Sequence, residues 1–207
     1  MDATPNTLIH ARRVHETYRR AGGSAAVSRV KLIVVLREPV SRELSLYNHK
    51  EVSYLKTRDR SAWYGNVVYA DNETVMPFEE YARRTLVDRE GCKKCQREYH
   101  LGEYVDHLKE WLSYFAREQL LVLSYDELCA APGTTQGRIQ EFLGAAFPGA
   151  LKRANSKGHE DKVRTVPPAA RKILDPLFTE KNLELYEFLE RHPGPAMEQR
   201  PFPRFRE

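Results

Sequence analysis

The chain has 207 residues, 41% hydrophobic and 30% charged, enough for one domain with a sizeable core. Its net charge of +4 spreads 33 basic residues among 29 acidic ones. That suits an anionic small molecule or polysaccharide, while the clustered positive charge of a nucleic-acid binder is absent. No apolar run is long enough to span a membrane, and Met1–Pro5 lacks the apolar core of a signal peptide.

Leu8, Ala11, Val14 and Tyr18 fall at helical spacing between Thr7 and Arg20, and Gly22–Gly23 marks that helix's end. The run Val30 to Leu36 is continuous, apolar and β-branched, which predicts a strand buried on both faces. It stops at Arg37. Pro39 then suits the first position of a helix, and Val40, Leu44 and Tyr47 form its apolar stripe. A strand that ends in an arginine and turns into a helix is a natural anion site, with the ligand beyond the strand's carboxyl end near backbone N–H groups and a fixed cation. After Lys50 the stretch to Asn72 is polar and aromatic with little periodicity, which predicts an irregular lid or substrate loop. Tyr54, Trp63, Tyr64 and Tyr69 in it could stack on sugars or pack beneath the loop.

Helical spacing resumes from Pro77 to Asp88 and again from Gly102 to Phe115, where Tyr104, Leu108, Trp111, Leu112 and Phe115 share a face. Between them Cys92-Lys93-Lys94-Cys95 leaves three readings open: an incomplete zinc site with His100, a redox pair whose lysines lower a thiol pKa, or a loop pair without a duty. With only Cys129 besides, no disulfide framework is built. A second buried strand follows at Leu120 to Tyr125. Two strands separated by helices predict an α/β protein with a parallel sheet flanked by helices. Ala131 to Gly144 reads as another helix. Lys152 to His159 is a basic, Gly-containing loop, and a closing helical pair spans Pro168 to Phe178 and Glu180 to Glu190. The segment 192–207, rich in Pro and Arg, reads as a mobile tail after a domain over 1–191.

Arg37-x-Pro39-x-x-Arg42-x-x-Ser45-x-Tyr47 behind a Lys-Leu-Ile-Val strand resembles the 3′-phosphate-binding segment of sulfotransferases that use 3′-phosphoadenosine 5′-phosphosulfate, above all the heparan sulfate and related carbohydrate sulfotransferases. The Tyr104–Tyr125–Glu127 region and Ser156-Lys157-Gly158 resemble that family again, in the family's order, although His159, Glu160 and Asp161 depart from it. The resemblance implies a P-loop-type three-layer fold. It implies that Arg37 and Ser45 bind the 3′-phosphate, that Ser156, Lys157 and Gly158 cover the sulfonucleotide, that Lys157 serves the transferred sulfate, and that His49 accepts the acceptor's proton. On the residues alone, His49 is equally a surface histidine. The co-substrate implied is 3′-phosphoadenosine 5′-phosphosulfate without a metal, the partner a heparan sulfate-like carbohydrate, and the location, if the chain is part of a longer eukaryotic one, the Golgi lumen or membrane. The family's Gly-rich phosphosulfate loop should precede the Lys31 strand. Only about thirty residues do so, and none has that pattern. The resemblance therefore predicts an N-terminally incomplete sulfotransferase domain, with a non-catalytic sulfonucleotide- or glycan-binding remnant as the alternative.

Overall fold

The computed structural model describes residues 5–88, 101–151 and 165–205. They form two compact units, one drawn from 1–37, 103–156 and 181–207, the other from 38–102 and 157–180.

The first unit is built on the expected parallel strand pair. β1 (Leu32–Leu36) lies beside β2 (Leu120–Ser124) in a register that sets Leu32 against Leu120 and Leu36 against Ser124. The long connection between them is what a parallel pairing requires. Every residue of β2 is buried. β1 differs from the expectation of two buried faces, because Ile33 is 37% and Val35 43% exposed. A continuous apolar run cannot by itself report whether both faces are covered. The free edge of β2 is closed by side chains. Glu198 Oε1 accepts from the Val122 N–H at 2.8 Å, and Arg117 Nη1 donates to the Leu120 carbonyl at 2.5 Å. These two side chains pair with each other at 2.5 Å, both nearly buried, so two ladder groups at this edge are satisfied by side chains.

Helix α1 (Ala11–Ser28) extends past the predicted end, but its helical geometry breaks at Gly22–Gly23, where Gly23 takes φ 65°. The short helical turn just before it, Pro5–Ile9, is tied to the helix Tyr104–Leu112 through the Trp111 indole N–H, which donates to the Leu8 carbonyl at 2.7 Å. The Tyr104–Leu112 helix buries Tyr104, Leu108 and Trp111 of the stripe read from the sequence, and Val105 beside them. The expected mobile tail is instead packed up to Phe205. Phe202 and Phe205 sit in the same hydrophobic cluster as Leu36, Leu108 and Leu120, and the Phe205 N–H donates to Tyr186 Oη at 2.9 Å. Two phenylalanines spaced three apart and a buried carboxylate outweigh the prolines around them.

The second unit centres on α2 (Pro39–Thr57), whose Val40, Leu44, Tyr47 and Tyr54 pack with Phe78 and Tyr81 of α3 (Phe78–Ala82) and with Ala170, Leu174 and Phe178. A π-helical turn, Arg83–Asp88, continues α3 and buries Leu86. The supposed loop after Lys50 is helical through Thr57 and ends at Arg58 in the left-handed region, φ 54°. Residues 58–77 are held down and not free. Tyr47 Oη donates to the Met76 carbonyl at 2.7 Å, Met76 N–H donates to the Val67 carbonyl at 2.8 Å, and Val68 bridges Val75 in antiparallel fashion. Polar, aperiodic sequence hid these long-range bonds. The closing helical pair is one helix, Pro168–Arg191, with Pro176 inside it. No helix among the described residues is long and apolar enough to cross a membrane.

Candidate functional site

Arg37 follows the last residue of β1, and Tyr125 follows the last residue of β2. Because the strands are parallel and Leu36 is level with Ser124, the register brings these two side chains to the same end of the sheet. The Arg37 guanidinium lies over the Tyr125 ring, 4.8 Å from its centroid. Tyr104 Oη donates to the Arg37 carbonyl at 2.7 Å, which holds the backbone at the point where the strand ends. Arg37 is partly exposed and forms no ion pair among the described residues. A planar cation, stacked on one face with its N–H edges uncommitted, is suited to a phosphate or sulfate oxyanion. Tyr125 is the contributor that the sequence named only as part of a strand.

The neighbouring helix start departs from the expectation of open N–H groups. The Glu38 carboxylate caps α2 itself, accepting from Val40 N–H at 2.9 Å and Ser41 N–H at 2.7 Å. Pro39 has no N–H and Arg42 N–H bonds to the Glu38 carbonyl, so the first turn is already satisfied. Arg171 Nη2 donates to the same carboxylate at 3.1 Å and Nη1 to Asp175 at 3.1 Å. Burial works to lower the pKa of the Arg171 guanidinium, but the ionic hydrogen bonds to Glu38 and Asp175 leave it raised. A Glu ahead of Pro was the available signal for this cap.

On α2, Ser45 and His49 are both exposed and one turn apart, as their spacing predicted. Ser45 has no hydrogen-bond partner among the described residues. The His49 ring lies 5.6 Å from that of Trp63, tilted by 36°. The opposite face holds a residue that the sequence reading missed: Lys50 is fully buried. Its Nζ donates to Asn66 Oδ1 and Tyr81 Oη, both at 3.1 Å, and lies 5.2 Å from the Tyr81 ring centroid. A buried ammonium needs such partners. Nothing in a helical repeat distinguishes it from the surface lysines. Tyr47 sits on the same buried face, and burial, reinforced by Glu51 and Glu79, pushes its phenol pKa upward.

Arg37 therefore belongs to the first unit, and Ser45 and His49 to the second. Ser156, Lys157 and Gly158 lie outside the described residues, as do Cys92, Cys95 and His100.

Likeness to known proteins bears on the origin of this arrangement. Human bifunctional heparan sulfate N-deacetylase/N-sulfotransferase 2 is 27% identical over 180 residues, covering 82% of this chain and 19% of that protein. Human heparan sulfate glucosamine 3-O-sulfotransferase 3B1 is 30% identical over 125 residues, 58% of this chain and 26% of that protein. The chain thus spans about a fifth to a quarter of the length of these relatives. In three dimensions, a sulfotransferase from Alicyclobacillus acidocaldarius superposes with a TM-score of 0.53 at 20% identity, over 87% of this chain and 59% of that one. That likeness shows a common α/β sulfotransferase fold. The sulfotransferase domain family matches residues 8–165, and the chain belongs to it.

Proposed function

We propose that the chain transfers a sulfuryl group from 3′-phosphoadenosine 5′-phosphosulfate to an amine or hydroxyl of a heparan sulfate-like carbohydrate. The observation that carries this reading is the Arg37 guanidinium, stacked on Tyr125 and without an acidic partner among the described residues. Membership of the sulfotransferase domain family supports it. The sulfonucleotide supplies the group transferred. In this reading Arg37 grips the 3′-phosphate through paired N–H bonds, and Ser45 donates its hydroxyl to the same group. Ser156, Lys157 and Gly158 cover the nucleotide, and Lys157 offsets charge where the sulfate departs. His49, exposed on α2, accepts the proton that the acceptor amine or hydroxyl loses.

The test is transfer of labelled sulfate to a panel of desulfated, N-deacetylated glycans. Transfer is expected with the wild type, and a loss of about 100-fold or more with His49→Ala, the usual scale for a general base. No transfer by the wild type to any glycan refutes the catalytic reading, and nucleotide binding without transfer points to a binding module.

A further inference from the structure

We infer that Trp63 is the platform on which the acceptor sugar rests beside His49. This inference deepens the proposed sulfuryl transfer and rests on it for the identity of the sugar. Of the aromatic side chains between 54 and 69, Trp63 alone is exposed, at 46%. Tyr54 is fully buried, Tyr64 shares a 2.8 Å hydrogen bond with Thr57, and Tyr69 lies under the Arg84 guanidinium. The half-exposed indole presents a flat apolar face with a polar N–H at its rim, a surface that matches the C–H face and hydroxyl edge of a pyranose ring.

The ring is also held in place. Tyr64 meets it edge-on at 5.6 Å and 74°, and Lys50 Nζ lies 5.9 Å from its centroid. Lys50 is fixed in turn by Asn66 and Tyr81. The turn that carries Trp63 is pinned at its start by Asp59, which accepts from Ser61 N–H at 2.8 Å and Ser61 Oγ at 2.7 Å. At its end, Gly65 N–H donates to the Ala62 carbonyl at 2.9 Å. A Cβ at Gly65 would overlap the Arg60 carbonyl, so that chain crossing requires glycine. A rigid exposed aromatic loses little freedom on binding, which is how such anchors contribute affinity. With the His49 ring 5.6 Å away, a sugar stacked on Trp63 presents its amine or hydroxyl next to the imidazole.

The molecule offers a direct probe, since its only other tryptophan, Trp111, is buried. Wild type, Trp63→Ala and Trp63→Phe are titrated with a desulfated, glucosamine-containing hexasaccharide and, separately, with adenosine 3′,5′-bisphosphate. Calorimetry and tryptophan emission are the readouts. The hexasaccharide is expected to change Trp63 emission in the wild type. Its affinity is expected to fall about tenfold in Trp63→Ala and about threefold or less in Trp63→Phe. Nucleotide affinity is expected to stay within about twofold, since Trp63 does not serve that ligand. Transfer kinetics should show the loss in KM with kcat retained. Equal hexasaccharide affinity in wild type and Trp63→Ala overturns the inference while leaving the nucleotide reading intact. So does nucleotide binding with no hexasaccharide binding by the wild type. Trp63-dependent hexasaccharide binding without nucleotide binding supports the platform and refutes the transfer reading.

Discussion

Replacing Glu38 by alanine removes three bonds at once from the helix that carries Ser45 and His49. Two of them cap α2, from Val40 N–H at 2.9 Å and Ser41 N–H at 2.7 Å. Losing a helix cap of this kind costs about 1–2 kcal/mol. The third is the ion pair with Arg171 at 3.1 Å. Arg171 is about a quarter exposed and keeps Asp175 at 3.1 Å, so it is not left as an orphaned buried charge. The loss there is about 1 kcal/mol, well short of the several kcal/mol for breaking a fully buried pair. The sum is about 2–3 kcal/mol. Urea unfolding followed by circular dichroism reads it as a midpoint lowered by about 1 M, given a slope of about 2–3 kcal/mol per M for a chain of this size. Glu38→Gln, which retains one acceptor, should lose about half as much. A Glu38→Ala protein within about 0.5 kcal/mol of wild type would refute the claim that this carboxylate organises the start of α2.

Tyr47 gives the alkaline side of the stability profile. Its phenol pKa is raised in the folded state by burial, so the unfolded chain ionises first. The contribution is complete below the ordinary phenol value near pH 10 and is lost above it at about 1.4 kcal/mol per pH unit. Tyr47→Phe should flatten that limb and cost about 1 kcal/mol at neutral pH through the lost bond to the Met76 carbonyl. An alkaline limb identical in both proteins contradicts this. Glu198→Ala leaves Arg117 and the Val122 N–H without their partner at the edge of β2, at a cost of about 3–5 kcal/mol. Hydrogen exchange should show the Val122 amide losing protection, and unchanged protection contradicts the edge-closing role. Gly65→Ala should lower thermal stability by about 2 kcal/mol or more, because the new methyl group meets the Arg60 backbone and not a side chain that can turn away. A variant as stable as wild type would show that the turn carrying Trp63 yields freely.

Much of the frame was legible in the sequence. The apolar runs before Arg37 and Tyr125 became parallel strands, and the Tyr104–Trp111 stripe is a buried helix face. Ser45 and His49 share an exposed face because helical spacing is a local property. What escaped depends on contacts remote in sequence. Lys50 reads as one more surface lysine until Asn66 and Tyr81 come to meet it. The segment after His192 reads as solvent-loving until Glu198 finds a strand edge and Phe202 and Phe205 find a core. The exposure of Ile33 and Val35 was equally hidden, since apolar composition reports what a strand could bury and not what lies over it. The Glu38 cap is a local feature, legible in principle from a carboxylate standing directly before the helix-opening Pro39.

Calorimetry with adenosine 3′,5′-bisphosphate tests the proposed grip of Arg37 on the nucleotide's 3′-phosphate. Wild type should bind with heat release that weakens as salt rises. Arg37→Ala should lose about 30-fold or more in affinity, the scale of charge-assisted hydrogen bonds to a phosphate, while its unfolding midpoint stays near that of wild type. Absence of binding by the wild type, or equal affinity in the two proteins, would contradict that role for Arg37.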